Sequence, residues 1–317
     1  MARPDGVPGY TLRQLAAFVA VAEWGTITAA ADALHMSHSA LSSAITDLEK
    51  ALEVKLFVRQ RARGVTLTPT GHEVLDRARV LLHHAAELES DAHSEAGAVV
   101  GPVAVGCYPS LGPTLLPSLL ADFTRIHPRA RVDFREDTQN RLRGLLDAHE
   151  LDVAFLYDLD LEPGLEIAKL DVRRPMVLLP VTHPLAAAPA VRLRDLATEP
   201  MVLLDAPPSS GHASRVCADA GFAPIIGYRV QSFETARSFV GRGLGWTLLL
   251  QRPANDTTYE GLPLALRDVV DPVPASVEVV LAWRGDALLS RVARTFVDFV
   301  IGHRAPGPGV DRAQRPI

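Results

Sequence analysis

With 317 residues, 48% of them hydrophobic and 6% aromatic, the chain is long enough for two or three domains with buried cores and too poor in rings for a single-strand stacking platform. A net charge of −5 argues against a non-specific nucleic-acid binder. Two distant cysteines without CxxC spacing, Cys107 and Cys217, argue against a disulfide framework or zinc site and point to a reducing cytoplasm.

Residues 1–9 read as a loose tail. Its polar start predicts no signal peptide, and no uninterrupted apolar run is long enough to cross a membrane. A first helix follows over residues 12–23, with Leu12, Leu15, Phe18, Val19 and Ala22 on one face. Residues 28–34 form a short alanine-rich helix with Thr28 as its N-cap. Residues 35–38 are a tight turn. A third helix over 39–52, capped by Ser37 or Ser39, places Leu41, Ile45, Leu48 and Leu52 on one face.

The small side chains of Ala30, Ala31 and Ala33 let these two helices approach as a helix-turn-helix. The outer face then carries His38, Ser39, Ser42, Ser43 and Thr46, short hydrogen-bonding groups suited to base edges in a major groove. An alanine-rich helical hairpin without that role is the plainer alternative. Residues 60–66 read as a turn between two short strands, a wing with Gly64 at its tip. Lys50, Lys55, Arg59, Arg61 and Arg63 lie close together, opposed in that span only by Glu53, and suit phosphate contacts. The candidate DNA-contacting set is Thr28, Ser37, His38, Ser39, Ser42, Ser43, Thr46, Arg59, Arg61 and Arg63.

A single helix over 70–92 has Val74, Leu81 and Leu88 at heptad spacing. Ala78, Ala85 and Ala92 lie between them, and Leu75 and Leu82 widen the stripe. Such a stripe packs on a second helix or on the chain's own body. Residues 97–101 read as a hinge. Beyond it, strands at 102–107, 131–135, 152–157, 176–181, 200–204, 226–231, 245–250 and 277–283 alternate with helices at 113–126, 138–149, 211–220 and 233–242. A last helix spans 286–303. This predicts an α/β region with largely parallel sheets. The last helix follows a strand that must return to an earlier sheet, so two lobes are expected, with crossovers near 169–174 and 271–275. The lobes would cover about 97–171 with 274–304, and about 172–273. Residues 305–317 read as a disordered tail.

The blocks around the helix-turn-helix stand in a fixed order. Leu15, Phe18, Val21, Ala22 and Glu23 come first, then Thr28, Ala30, Ala31 and Leu34, then Ser37, Ala40, Ser42, Ile45, Leu48 and Glu49. Leu56, Phe57 and Arg59 follow, and Leu67, Thr68 and Gly71 close the series. This pattern resembles the LysR-type transcriptional regulators. His38 stands where glutamine is commonest in that family, and Glu53 where glycine is usual; the first bears on base preference and the second on the turn into the wing. The resemblance implies a winged helix-turn-helix over 1–69, a dimerisation linker helix over 70–96 through Val74, Leu81 and Leu88, and a two-lobed effector domain over 97–304 like a periplasmic binding protein. It also implies inverted-repeat promoter DNA, a homodimer or homotetramer, RNA polymerase as a further partner and a small-molecule effector.

No catalytic constellation is present: there is no GxSxG elbow and no Walker A loop, and no metal or cofactor is expected. The run from Gly241 to Gly245 follows a helix and suits its termination. Ser209-Ser210-Gly211-His212 reads as a helix start rather than a nucleophile. His83, His84 and His93 read as surface groups. Cys107, at a strand's carboxyl end, is the candidate for an alternative, redox-sensing function. An α/β enzyme or solute-binding protein is the rival class. Strand ends and helix starts nominate Tyr108, Ser110, Thr138, Tyr157, Asp205, Ser232 and Phe233 for the effector, although Ser110, Thr138 and Ser232 could equally be plain helix caps. Helix N-termini favour an organic acid; Asp158 and Asp205 leave an amine open.

Overall fold

The computed structural model describes residues 7–60, 64–93, 99–285 and 289–303. The chain divides into two compact units, one comprising Met1–Gly97 with Ala148–Glu150, the other Ala98–Asp147 with Leu151–Ile317. Arg61 and Arg63, the tip of the wing, most of the tail calls at either end and residues 97 and 98 of the expected hinge lie outside the described residues. Gly101 itself opens a strand.

In the first unit, α1 (Leu12–Trp24) starts at a capping box: Thr11 Oγ1 accepts from Gln14 N at 3.2 Å and Gln14 Oε1 from Thr11 N at 2.8 Å. It ends at Gly25, whose φ of 68° suits glycine. Helix α2 (Ile27–Ala33) is capped by Thr26 rather than Thr28: Thr26 is still extended, whereas Thr28 is already helical and exposed. Helix α3 (His38–Leu52) is capped by Ser37 and buries Leu41, Ile45 and Leu48 against Phe18, Val21, Ala30 and Ala31. Its C-cap is Glu53, held at φ 57°, so a left-handed conformation is carried by a side chain that does not favour it.

Glu49 ties α3 to the wing. Its carboxylate is buried, accepts from Leu56 N at 2.9 Å and Phe57 N at 3.3 Å, and pairs with Lys55. Burial alone would raise its pKa; the bonds from Lys55, Leu56 and Phe57 outweigh it and hold the pKa below the usual carboxylate value. Strand β1 (Phe57–Gln60) then pairs antiparallel with β2 (Gly64–Leu67). Gly64 opposes Gln60 at the start of β2 instead of forming the tip. A Cβ there would lie 2.5 Å from the Gly25 carbonyl oxygen, to which Val65 N donates at 3.1 Å.

Helix α4 (Pro69–His93) begins on a similar close contact. Thr68 donates to the carbonyls of Leu56 and Lys55 and accepts from Gly71 N, and a Cβ on Gly71 would lie 2.2 Å from the Leu56 oxygen. Leu75 and Ala78 are buried in the winged-helix core, and Val74 and Leu82 pack against it. Leu81 and Leu88 remain 43% and 73% exposed. The expected stripe is therefore split, because the first turns of α4 are a wall of the chain's own core.

The second unit contains three sheets, one in lobe I and two in lobe II. Lobe I has strand order β4-β3-β5-β13-β6, formed by Ala130–Glu136, Gly101–Cys107, Val153–Tyr157, Val277–Arg284 and Leu165–Arg173. Helices α5 (Gly112–Ile126), α6 (Gln139–Asp147) and α9 (Arg291–Gly302) cover it. Phe296 meets Phe123 and Phe155 edge-on at 4.9 and 6.3 Å in its core. Lobe II has order β11-β7-β12-β8, from Thr247–Leu249, Met176–Pro180, Leu264–Val270 and Ala190–Arg192. A parallel bridge between Met201 and Trp246 joins it to β9 (Pro200–Leu204) and β10 (Ile225–Val230). Helices α7 (Ser209–Asp219) and α8 (Phe233–Gly241) pack on it.

The sheets are mixed rather than largely parallel: β13 runs antiparallel to β5 and β6, and β7 antiparallel to β11 and β12. Strands β6, β8 and β12 were not expected from the sequence. Strand β6 is an edge whose charged residues hide the apolar alternation that marks a half-buried strand. The expected last helix starts only at Arg291, with Ser290 as its cap.

Glu49 generates a prediction. Glu49→Ala strips acceptors from two wing N–H groups and should destabilise the winged-helix unit by about 1–3 kcal/mol near neutral pH. Because the folded pKa is lowered, this contribution is present above the ordinary carboxylate range and is lost as pH falls through the folded value. Urea unfolding at several pH values should show the gap between wild type and variant closing in acid.

Candidate nucleic-acid interface and interlobe cavity

The exposed side of α3 is built from its periodicity. With Leu41, Ile45 and Leu48 buried, His38, Ser39, Ser43 and Thr46 are left exposed and Ser42 half-buried. Thr28 is exposed on the neighbouring α2. Some of these groups already have local duties. Ser37 Oγ accepts from Ala40 N and lies 3.2 Å from Ser39 Oγ. Ser43 donates to Asp47 at 3.4 Å, and Thr46 donates to the Ser42 carbonyl at 2.9 Å. Thr46 is thus left to accept. Asp47, on the same side, is a carboxylate acceptor that the sequence reading passed over. Arg59 lies in β1 opposite Val65; its side chain, like Arg61 and Arg63, lies outside the described residues.

In the second unit a small cavity of about 20 Å³ lies between the lobes. Lobe I supplies Ser110, just past β3, and Tyr157, at the end of β5. Lobe II supplies Ser209, His212 and Ala213 from α7, Phe233 from α8, and Leu248 to Gln251 from the end of β11. Pro175 and Leu204 complete the wall.

Hydrogen bonds run across this boundary. Tyr108 donates to the Ala206 carbonyl at 2.8 Å and lies 2.9 Å from Ser209 Oγ. Gln251 Nε2 donates to Tyr157 Oη at 3.0 Å, Thr114 donates to Gln251 Oε1 at 3.1 Å, and Ser110 Oγ lies 3.0 Å from Tyr157 Oη. Burial pushes Tyr157 up to about 12, so its phenol stays protonated at neutral pH.

Of the residues nominated from sequence, Ser110, Tyr157 and Phe233 line the cavity. Tyr108 is buried behind it with its hydroxyl engaged. Thr138, Asp205 and Ser232 are outside the lining. Thr138 takes part in the start of α6, Ser232 caps α8, and Asp205 pairs with Arg229 at 3.3 Å beside a separate open groove. The Ser232 hydroxyl and the Asp205 carboxylate serve local structure, and Thr138 takes part through its backbone N–H and carbonyl. Ser209, His212 and Gln251 were missed. The first two stood in a segment read as a helix start, which it is; Gln251 carries no signal in sequence.

Neither cysteine presents a thiolate. Cys107 is buried, donates to the Tyr108 carbonyl at 3.3 Å, and has its pKa raised by burial and the Glu136 charge. Burial raises Cys217 to about 11. The two lie in different hydrophobic clusters. Among the described residues no group of His, Cys, Asp and Glu could hold a metal, and no helix is long and apolar enough to cross a membrane.

Two family models match the chain. The bacterial regulatory helix-turn-helix protein model, lysR family, covers residues 12–72, and the LysR substrate binding domain covers residues 96–305. The chain belongs to the LysR family of transcriptional regulators. It is 31% identical over 281 residues to the uncharacterized HTH-type transcriptional regulator YvbU of Bacillus subtilis, spanning 86% of this chain and 94% of that protein. It is 32% identical over 245 residues to the DNA-binding transcriptional dual regulator OxyR of Escherichia coli, spanning 75% and 78%. The C-terminal domain of a probable LysR family regulator from Rhodococcus sp. RHA1 is 63% identical in sequence, with a TM-score of 0.63, and covers 64% of this chain and 99% of that domain. This LysR regulator therefore has both parts of its family's plan, the helix-turn-helix and the two-lobed domain, and the family's members are regulators rather than enzymes.

The buried thiols yield a second prediction. A thiol-reactive disulfide reagent at pH 8 should label neither Cys107 nor Cys217 in the native protein and both on unfolding. Fast labelling of Cys107 in the folded state would reopen the redox-sensing alternative.

Proposed function

We propose that this LysR regulator binds an inverted-repeat duplex site through α3 and the wing, as a homodimer or a dimer of dimers, and that a small molecule held between the two lobes controls it. The observation that carries the DNA reading is the exposed polar face of α3 set on a buried apolar one. His38, Ser39 and Ser43 are placed to meet base edges or nearby phosphates, with Arg59, Arg61 and Arg63 assigned to the backbone or minor groove. Leu81 and Leu88, exposed seven residues apart on α4, support self-association through that helix. A dimer sets two reading helices about 34 Å apart, one turn of DNA. The interlobe cavity supports effector control, because a ligand that favours one lobe arrangement shifts the population toward it. The OxyR relatives raise a redox reading for this chain, and the burial of both cysteines weighs against it.

A binding-site library separates the roles. His38→Gln should change the preferred sequence, whereas Arg61→Ala should weaken all sequences alike and lower the salt slope by about one. Identical behaviour of the two variants would refute this division. Sedimentation should show Leu81→Arg at lower mass than wild type, since the variant would bury an unpaired charge at the contact; an unchanged mass would move the interface off α4.

A further inference from the structure

The exposed face of α3 lacks the usual bidentate donors to base edges. Residues 38–49 include no Arg, Lys, Asn or Gln, and Lys50 is the first Lys or Arg of the helix. Those are the side chains that meet guanine and adenine through paired bonds. The face instead carries Ser39, Ser43, Thr46 and Asp47, all exposed. Ser39, Ser43 and Asp47 stand at four-residue spacing and so form one row along the helix. A carboxylate in that row is costly on a surface that meets DNA. Phosphates repel it whatever the sequence, and in the third turn it is beyond the reach of the helix's positive end.

The hydroxyl protons on this face can be counted. Ser43 donates to an Asp47 carboxylate oxygen at 3.4 Å, and Thr46 donates to the Ser42 carbonyl at 2.9 Å. A hydroxyl has one proton, so each of these two oxygens turns only lone pairs outward. The Asp47 carboxylate is itself an acceptor without a proton to give. Ser43, Thr46 and Asp47 thus form a patch of acceptors. At the head of the helix Ser37 and Ser39 share one bond, which leaves that pair one proton to give. In the major groove the donors are the cytosine N4 and adenine N6 amino groups. Adenine N6 stands between two acceptors, N7 of its own ring and O4 of the paired thymine. Cytosine N4 has one acceptor beside it, O6 of the paired guanine. An acceptor patch is therefore repelled least at cytosine.

We propose that Asp47 is a positioning residue that holds the Ser43 proton and so makes α3 select cytosine at one step of each half-site. Ser43 accepts from the cytosine N4 amino group. The Asp47 carboxylate behind it keeps the hydroxyl from turning to give its proton to guanine O6 or thymine O4. This role presupposes that α3 docks in the major groove, as proposed above. Ser43 lies in the second turn of α3, in the N-terminal part from which a recognition helix reaches base edges. Asp47 lies one turn further and is exposed, so replacing it leaves the buried face of Leu41, Ile45 and Leu48 intact.

A duplex library randomised across both half-sites, bound by the full chain, tests this. Wild type should prefer cytosine at one position of each half-site by about ten-fold over guanine or thymine. Ser43→Ala should reduce that preference to about two-fold or less. Asp47→Ala should do the same, because Ser43 can then turn and donate. Asp47→Glu, which keeps a carboxylate, should retain most of the preference. The double variant should match Ser43→Ala, since Asp47 acts through Ser43. A purely repelling charge would give a different result: Asp47→Ala would bind every sequence more tightly with its base preference unchanged, and that outcome overturns the proposal. Selection of guanine or thymine at the position that depends on Ser43 overturns it too, as does a further change of preferred base in the double variant. Sequence preference that responds to His38→Gln but to none of these variants would keep the docking of α3 and refute this role. A wild type that selects no sequence would refute both.

Discussion

The two-lobed unit depends on the return of β13. This strand is central in the lobe I sheet, between β5 and β6, and Val279 to Ala282 are all buried there. Its chain position, however, is after the whole of lobe II. Lobe I is complete only once lobe II has been made and the chain has crossed back, so two connections join the lobes, one after β6 and one before β13. A pair of connections limits how the lobes can move, and it keeps the cavity walls contributed by β3, β5, α7 and β11 in register across the boundary.

The boundary itself is polar at a few points and apolar between them. Tyr108, Thr114 and Gln251 hold it with hydrogen bonds, of which the one from Gln251 to Tyr157 is buried and hard to replace by water and the other two are partly buried. Gln251 serves two of these contacts at once, as an acceptor from Thr114 and a donor to Tyr157. The effector proposed for this cavity would act by altering the stability of the arrangement these bonds hold. That would link occupancy of the cavity to the relative positions of the lobes in the function proposed above.

In the winged-helix unit the corresponding role falls to close backbone contacts. Gly64 lets the wing lie on the Gly25 carbonyl, and Gly71 lets α4 begin on the Leu56 carbonyl. Glu49, in the last turn of α3, binds with its carboxylate the N–H groups of Leu56 and Phe57 at the entry to β1. These three contacts set the wing and the linker helix against the reading helix, so the polar face of α3 is presented by a rigid support. They also give a physical reason for the glycine and glutamate in the sequence blocks that mark the family.

The sequence by itself determined the features that depend on near neighbours. The apolar period of α3, a serine cap at Ser37 or Ser39, most of the strands and helices and the two crossover regions follow from spacing and capping chemistry within a few turns of chain. Thr28 was misplaced as a cap because Thr26, two residues earlier, satisfies the same local rule and is the one left extended. Only the tertiary structure decided which polar groups are free. Ser110, Thr138 and Ser232 look alike in sequence, each beside a helix start, but of the three only Ser110 lines the cavity, and Ser232 caps α8. The direction of pairing around β13 and the split of the α4 stripe between the chain's own core and its exposed side depend on residues distant in sequence. Burial and hydrogen-bond satisfaction are properties of the assembled neighbourhood, and no local pattern encodes them.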